Sequence, residues 1–190
     1  MPPDDRDLIV QARAGNMGAF EELVCRYDRH VLNIAMKFTG DSDQARDVYQ
    51  EVFLRVYKSL NDFAFKSQFS TWLYRVATNV SLSYITSEQR RRQVSIDGQG
   101  EQAQRSYIGN QLASEPESDR KTFSREIASR VQGAIHKLSA QQKAVFVLRH
   151  YEGHRLREIA AILRCSEGTV KKHLFTATAR MREQLRDLHA

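Results

Sequence analysis

Residues 156–185 read LREIAAILRCSEGTVKKHLFTATARMREQL, and this stretch decides how the rest of the chain is interpreted. Its apolar residues recur at helical spacing in two runs. The first run is Leu156, Ile159, Ala160 and Leu163, and the second is Val170, Leu174, Ala177 and Met181. Ser166 lies between them as a candidate N-cap, followed by Glu167, which is favourable in a first helical turn. The stretch therefore predicts two helices joined by a tight turn.

The outer face of the second helix is basic and partly aromatic. It carries Lys171, Lys172, Phe175, Thr178 and Arg182. Such a face suits the DNA major groove, where lysine binds guanine O6 and N7 and phenylalanine or threonine contacts the thymine methyl group. The pattern indicates a DNA-reading helix-turn-helix, although a solvated basic face on an ordinary helix pair would look similar.

Charge is unevenly distributed along the 190 residues. Residues 1–92 carry a net charge of +1, residues 93–124 carry −2, and residues 125–190 carry +7, out of a total of +6. This concentration of positive charge predicts a polyanion-binding module at residues 125–190, beside a near-neutral one.

The remaining chain also shows helical periodicity, over residues 19–38, 44–60, 70–88 and from 124 onward. Gly40 is a stop signal, Asp41 or Ser42 can cap the next helix, and Ser139 with Gln142 forms a capping-box pattern. No stretch alternates as a strand would. Residues 93–124 are rich in Gln, Ser and Gly and predict a flexible linker. We expect an all-α chain of two small helical domains, 1–92 and 125–190.

The segment FSTWLYRVATN at residues 69–79 divides on a helical wheel. Leu73, Val76, Ala77, Val80 and Tyr84 form an apolar stripe. Trp72, Arg75 and Asn79 lie beside that stripe, where they could stack on and hydrogen-bond unpaired bases. A half-buried position at the edge of the core is the other interpretation of Trp72.

Other functions find little support in the sequence. Cys25 and Cys165 are the only cysteines, and we expect Cys25 to be a small core residue and no disulfide to form. His150 and His154 flank Gly153, which favours a turn over a metal site. No nucleophile, metal or nucleotide constellation indicates an enzyme or a cofactor. Without a secretory segment or an apolar run of about 20 residues, we expect a cytoplasmic protein with no membrane insertion.

Four segments together resemble a known family: AFEELVCRYDRHVLNIA at 19–35, DVYQEVFLRVYKSL at 47–60, FSTWLYRVATN at 69–79, and AVFVLRHYEGHRLREIAAILRCSEGTVKKHLFTA at 144–177. They are similar to the bacterial extracytoplasmic-function (ECF) sigma factors, small members of the sigma-70 family that retain only regions two and four. The resemblance covers roughly residues 5–92 and 125–188. It implies a promoter-specificity subunit of RNA polymerase that is not itself an enzyme.

The resemblance also implies residue roles and partners. In region two, Asp47, Gln50, Glu51 and Leu54 would bind the clamp coiled coil of the polymerase β′ subunit. Phe63, Trp72, Tyr74, Arg75 and Asn79 match the element that melts the minus-ten promoter region and holds a flipped base, an event that requires a pocket to offset the unstacking. Region four would contact the β flap and read the minus-thirty-five element through Lys171, Lys172, Phe175, Thr176 and Thr178.

Several positions depart from the family pattern. Gln44-Ala45-Arg46-Asp47 stands where an acidic D-A-E-D is usual, so we expect weaker binding to core polymerase, relieved by an added negative charge such as phosphorylation. A regulatory kinase and an anti-sigma factor are accordingly candidate partners. Arg155 and Arg157 replace a capping serine and an acid, and Thr176 and Thr178 replace basic residues, which leaves the promoter sequence open.

Two rival functions remain at this level. A helix-turn-helix activator with a ligand-sensing or dimerising N-terminal domain would bind duplex DNA without polymerase, but it leaves residues 69–79 unexplained. A purely protein-binding helical module, such as an anti-sigma-like protein, leaves the +7 charge of residues 125–190 unexplained.

Overall fold

The computed structural model of the chain describes residues 3–97 and 119–186, and the regular structure in these ranges is entirely helical. The first range contains α1 (Asp5–Arg13), α2 (Met17–Thr39), α3 (Ser42–Ser59), a 3-10 turn (Leu60–Asp62) and α4 (Phe69–Asp97). The second contains α5 (Asp119–His136), α6 (Ala140–His150), α7 (Leu156–Leu163) and α8 (Glu167–Gln184). The predicted all-α fold class is confirmed.

Capping residues define the helix ends where the sequence predicts them. Gly40 ends α2 in the left-handed conformation, with φ of 73°. The Oδ1 atom of Asp41 accepts hydrogen bonds from the backbone N–H groups of Asp43 and Gln44, at 3.1 and 2.9 Å. The Oγ atom of Ser166 accepts from the backbone N–H of Thr169 at 3.1 Å, so the predicted cap of α8 is confirmed.

Two helices extend beyond their predicted bounds. Helix α4 continues to Asp97 and α5 begins at Asp119, so both ends of the predicted linker at 93–124 are helical. The middle of that linker, residues 98–118, lies outside the described residues. The extension of α4 has a physical reason, because residues 89–97 contain neither Gly nor Pro and include three Arg and two Gln, which favour helix.

Helix α1 was not predicted, since it is short and its apolar stripe is narrow. Leu8 and Ile9 are its buried residues. The helix is also fixed by polar contacts: Nη1 of Arg26 lies 2.7 Å from Oδ1 of Asp5, and the Tyr27 hydroxyl donates to Oδ2 of Asp5 at 2.5 Å. These contacts place α1 against α2 and beside the loop that leads into α4.

One apolar core runs through both helical units. Fully buried side chains of the first unit include Leu23, Ile34, Phe38 and Leu73, and those of the second include Leu148, Ile159, Ile162 and Val170. They belong to a single cluster. A smaller cluster made by Ile135, Leu138, Ala177 and Met181 holds α5 against α8. The two units therefore pack against each other as well as within themselves.

The expectation that Cys25 is a core residue is wrong, because its side chain is exposed. Leu23 is buried, and residues two apart on a helix point about 200° apart, so Cys25 faces solvent although its neighbours are apolar. Residues 151–155 form the predicted turn, with Gly153 at φ of 71°. Within residues 3–97 and 119–186, no group of His, Cys, Asp or Glu side chains is arranged to hold a metal ion. No helix in these ranges is long and apolar enough to cross a membrane.

Candidate nucleic-acid interface

Helix α4 presents the edge that the helical wheel predicts. Leu73, Ala77 and Val80 are buried in the core. Asn79 is exposed and Trp72 and Arg75 are partly exposed, so these three side chains lie outside the buried stripe. The Arg75 guanidinium donates to the carbonyls of Ala161 and Ile162, at 2.8 and 3.1 Å. The division of this helix into a core stripe and an outer edge is confirmed, although binding of DNA to the edge stays a prediction.

Phe63 and Tyr74, for which the resemblance implies contact with minus-ten DNA, are both buried, with exposed fractions of only 5% and 6%. The Tyr74 ring lies 4.8 Å from the His154 ring and 5.9 Å from the His30 ring, measured between centroids. Burial raises the pKa of Tyr74 to about 12. Neither aromatic ring offers a free face to a base in this arrangement, because neighbouring side chains cover both.

An aromatic cluster surrounds the start of α4. Phe63 lies 5.1 Å from Trp72 and 5.1 Å from Phe65, and Phe69 lies 5.6 Å from Trp72, all between ring centroids. Tilted and edge-on aromatic pairs at these distances stabilise one another. The structure thus brings Phe63, Trp72 and Phe65 together, and binding of DNA to this cluster stays a prediction.

A cavity of about 670 Å³ opens beside this cluster. Aromatic rings and hydrogen-bonding groups line it together: Asp5, Arg6, Arg26, Tyr27, Phe63, Phe65, Ser67, Gln68, Phe69 and Ser70 are among its walls. Burial, and the hydrogen bond that the hydroxyl donates to Asp5, raise the pKa of Tyr27, which keeps its hydroxyl protonated. The cavity combines the partly exposed rings of Tyr27 and Phe65, which can stack a flat ring, with donors and acceptors that can read its edge.

Most of the residues that line this cavity were missed by sequence reasoning. They come from α1, α2 and the loop 63–68, which are far apart along the chain. The available signal was the density of phenylalanines at Phe63, Phe65 and Phe69 in a short segment that also carries Ser67 and Gln68.

Arg13 fixes the loop that forms one wall. Its Nε and Nη2 atoms donate to the Leu60 carbonyl at 2.9 and 2.7 Å, and Nη2 also donates to the Phe63 carbonyl. Its guanidinium lies 4.9 Å from the centre of the Phe65 ring, and that of Arg6 lies 5.2 Å away. Phe65 itself has a positive φ of 53°, which is uncommon for an aromatic residue, so these contacts hold the loop in a conformation it would not favour alone.

The candidate polymerase-binding residues share one exposed face of α3. Asp47, Gln50 and Leu54 are exposed and Glu51 partly so, while Val48, Val52 and Val56 are buried beneath them as predicted. Nε of Arg55 lies 2.6 Å from Oε1 of Glu51. Two exposed apolar side chains that the sequence analysis did not single out extend the surface beyond Leu54, namely Tyr57 and Met17, with exposed fractions of 49% and 52%.

The departure at residues 44–46 lies at the N-terminal end of this helix. Gln44 is partly exposed and Arg46 is exposed, with Nη1 of Arg46 3.6 Å from Oδ1 of Asp43. A pair this exposed contributes little to stability. The positive charge of Arg46 is therefore available on the same side of the molecule as the candidate polymerase-binding face.

The outer face of α8 matches its prediction only in part. Lys171 and Lys172 are exposed, and Phe175 is the most exposed of the large apolar side chains in the described ranges, at 79%. Thr176 and Thr178 are partly buried, and the Thr176 hydroxyl donates to the Lys172 carbonyl at 3.0 Å. Two lysines and a phenylalanine thus form the accessible part of this face, while the threonines lie at its margin.

The chain is similar to known proteins in both of its helical units. Residues 23–91 match the family model described as Sigma-70 region 2, and residues 128–181 match that described as Sigma-70, region 4. The chain is 31% identical to the RNA polymerase sigma-H factor of Pseudomonas aeruginosa, over 97% of this chain and 95% of that protein. It is 32% identical to the ECF RNA polymerase sigma-E factor of Haemophilus influenzae, over 97% and 96%.

Solved structures agree in fold. The structure of CnrH in complex with the cytosolic domain of CnrY matches with a TM-score of 0.69 and 24% identity, covering 96% of this chain and 97% of that one. The sigma factor RpoE of Bartonella quintana, in complex with the anti-sigma factor NepR, matches with a TM-score of 0.66 and 22% identity, covering 88% and 96%. With both family models and the relatives in agreement over nearly the whole length, the chain belongs to the extracytoplasmic-function sigma factors of the sigma-70 family, which are alternative sigma factors that direct promoter-specific transcription.

Proposed function

We propose that this sigma factor docks on core RNA polymerase through the exposed face of α3, captures an unpaired minus-ten base in the cavity beside α4, and reads the minus-thirty-five duplex with α8. Residues 1–92 then act as region two and residues 125–190 as region four. The protein acts in the cytoplasm and is not itself an enzyme. The polymerase catalyses formation of the phosphodiester bonds.

The α3 face supports the docking step. Asp47, Gln50 and Leu54 are solvent-accessible over a row of buried valines, so a partner can cover them without disturbing the core. We assign the β′ clamp coiled coil to this face, with Tyr57 and Met17 as an apolar extension of it. Region four contacts the β flap.

The observation that carries the minus-ten assignment is the aromatic cavity at the start of α4. Its volume of about 670 Å³ exceeds that of a nucleobase, and its walls offer both rings and polar groups. Unstacking one base costs a few kcal/mol, which stacking and hydrogen bonds in a fitted pocket can offset. Trp72 and Asn79 lie on the neighbouring edge of α4, where the strand would continue.

The minus-thirty-five assignment rests on α8. Lys171 and Lys172 neutralise phosphate or contact guanine, and Phe175 packs against a thymine methyl group. Thr176 and Thr178 serve as marginal contacts from their partly buried positions.

The proposal extends to how docking on core polymerase is regulated. Arg46 and Gln44 weaken docking because they place a positive and a neutral side chain where acids would attract a basic surface. A kinase that adds negative charge nearby, or an anti-sigma factor that covers the docking face, would control this sigma factor. The double change Gln44→Asp with Arg46→Glu should raise affinity for core polymerase. Unchanged affinity would remove this explanation.

Base capture is tested with single-stranded minus-ten oligonucleotides that carry an abasic site at each position in turn, bound to the reconstituted holoenzyme. The wild type should lose affinity sharply at one position. Phe65→Ala combined with Gln68→Ala should bind the intact strand more weakly and become insensitive to the abasic site at that position. Glu21→Ala, which changes an exposed side chain of α2 outside the cavity, serves as the control. Equal abasic sensitivity in the cavity variant and the control would contradict the proposal.

A further inference from the structure

A second cavity, of about 760 Å³, opens at the C-terminal end of α2. It shares no lining residue with the cavity beside α4 to which base capture is assigned. Ligand-binding pockets in proteins commonly have volumes of about 300–1,000 Å³, so a small molecule fits this space. We call it the α2–α6 cavity, and its walls include Met36, Phe38, Tyr84, Ile85, His136 and Lys143.

Lys143 of α6 is the unusual member of this wall. It lines the cavity and is only 3% exposed. Burial lowers the pKa of its ammonium group to about 8, and no carboxylate in the described ranges offsets this effect. A lysine is almost never buried so completely unless it is paired, because an isolated charge loses its hydration. The position therefore calls for an anion that residues 3–97 and 119–186 do not supply.

The surface around Lys143 is mostly apolar. Met36 and Phe38 line the cavity from α2, and Tyr84 and Ile85 line it from α4. Burial raises the pKa of Tyr84, so its phenol stays neutral. An aromatic or aliphatic group can pack on these side chains while a charged group at its end meets the lysine.

Two other charged side chains of the wall already have partners. Nζ of Lys37 lies 4.3 Å from the centre of the Tyr151 ring. Oε1 of Glu88 lies 2.9 Å from Nη1 of Arg91. Neither group therefore compensates the charge of Lys143, and Glu88 is itself compensated.

The groups that approach from α5 and α8 are engaged as well. Nε2 of His136 lies 3.1 Å from Nε2 of Gln132. Nη1 of Arg180, from α8, donates to Oε1 of Gln142 at 2.9 Å and does not line the cavity. Lys143 is thus the buried cation that a ligand in this space would meet.

The charges around the cavity favour a ligand with a single negative charge. The last turn of α2 and its cap, Gly40, line the cavity, and the C-terminal end of a helix carries partial negative charge. Sites for phosphate dianions are built instead from arginine forks and from the backbone N–H groups of helix N-termini. One buried ammonium group in a mostly apolar wall matches one carboxylate on an apolar body.

We propose that the α2–α6 cavity binds a small monocarboxylic acid, whose carboxylate pairs with the Lys143 ammonium group and whose aromatic or aliphatic body packs against Phe38 and Ile85. The site uses none of the residues assigned to promoter DNA or to core polymerase. The inference goes beyond promoter selection, and its test requires neither DNA nor polymerase.

Calorimetric titration of the full chain tests the site with two probes, 4-phenylbutyrate and its neutral counterpart 4-phenylbutanol. At pH 7 the wild type should bind the acid at least about tenfold more tightly than the alcohol, because a hydrogen bond to a charged group contributes at least that much. Lys143→Met should lose this preference and keep its affinity for the alcohol. Lys58→Met, at an exposed position of α3, removes the same charge outside the cavity and should behave as the wild type.

The affinity for the acid should also depend on pH. Above a pKa of about 8 the free Lys143 side chain loses its proton, so binding of the carboxylate must then take up a proton. Between pH 7 and pH 9 the affinity of the wild type for 4-phenylbutyrate should fall about tenfold, whereas that for 4-phenylbutanol should not. Lys143→Met should show no such fall. A fall that persists in this variant would assign the charge to Lys37 and overturn the role of Lys143.

Gly133→Leu tests whether the probes occupy this cavity. A Cβ atom at Gly133, which lines the cavity from α5, would meet no atom within 4 Å, so a leucine there enters open space without a clash. This variant should weaken binding of both probes. Equal affinities of the wild type for acid and alcohol, a preference for the acid that survives Lys143→Met, unchanged binding by Gly133→Leu, or displacement of the acid by inorganic phosphate would each overturn the inference. Absence of binding by either probe would do the same.

Discussion

Nη2 of Arg13 donates to the Leu60 carbonyl at 2.7 Å, and this contact ties the last residue of α1 to the turn that follows α3. The same guanidinium donates to the Phe63 carbonyl and faces the Phe65 ring. One side chain thus connects the N-terminal helix with the loop that forms the base-capture cavity. Stability of the fold and shape of the candidate site are coupled at this residue.

Arg13→Met should therefore lower the free energy of unfolding by more than the loss of one partly buried side chain would. It leaves the Leu60 and Phe63 carbonyls without their charged donor, which corresponds to about 2 kcal/mol in the free energy of unfolding. Arg6→Met is the matched control, because Arg6 also faces Phe65 and should lose about 1 kcal/mol or less. Urea unfolding measures both, and equal losses would show that the carbonyl contacts do not hold the loop.

Leu54→Asp should impair docking on core polymerase without unfolding the protein. Leu54 is 46% exposed, so a carboxylate there is tolerated by the free chain. If the residue is buried at the centre of the polymerase interface, affinity should fall by about thirtyfold, corresponding to about 2 kcal/mol. Binding to labelled core measures the effect, with Glu21→Ala as the exposed control. Wild-type affinity for Leu54→Asp would remove α3 from the interface.

Two changes on α8 should act on DNA binding in different ways. Lys171→Gln with Lys172→Gln should weaken binding of the minus-thirty-five duplex and lower the slope of log affinity against log salt by about 1.8, since each phosphate contact contributes about 0.9. Phe175→Ala should lower affinity for the specific sequence while leaving that slope unchanged. Anisotropy titrations at several salt concentrations distinguish them, and an unchanged slope in the double lysine variant would show that these side chains do not meet phosphates.

Lys143 should make stability depend on pH in the alkaline range. It is buried near the start of α6, and desolvation lowers its pKa to about 8, below the 10.5 of an ordinary lysine. The unfolded chain then binds more protons than the folded one between these values, so this residue makes stability rise as pH increases from about 8 to about 10.5. At pH 7 Lys143 is charged in both the folded and the unfolded state, so the folded state bears the full cost of burying the charge.

Lys143→Met should accordingly be more stable than the wild type at pH 7, by about 3 kcal/mol when the difference between the two pKa values is converted to free energy. The advantage should shrink as pH approaches 10. Urea unfolding from pH 7 to 9.5 measures the difference, in which other titrating groups cancel. Lys58→Met, at an exposed position of α3, is the control. An advantage for Lys143→Met that stays constant with pH would contradict the lowered pKa.

The sequence predicts local features of this protein better than the contacts between its parts. Helical periodicity, Gly40, Asp41 and Ser166 locate α2, α3 and α8 because these signals act within a few residues. In contrast, α1 depends on Asp5 meeting Arg26 and Tyr27, and no spacing rule relates residues that far apart.

The same limit applies to the candidate sites. The wheel separates Leu73 from Trp72 correctly, since both lie on one helix. It could not foresee that Tyr74 is covered by His154, or that Arg75 donates to Ala161 and Ile162, because those partners come from another helical unit. For Cys25 the helical wheel is the better guide. Its neighbours in sequence are apolar, but its position on α2 turns the side chain towards solvent.

The central claim is that this chain selects promoters for RNA polymerase, and run-off transcription tests it most directly. Purified core polymerase, the full chain and a set of candidate promoter templates should give transcripts of defined length that require the chain. Leu54→Asp and the cavity variant Phe65→Ala with Gln68→Ala should reduce them. Binding to duplex promoter DNA without core, together with no chain-dependent transcript on any template, would contradict the account.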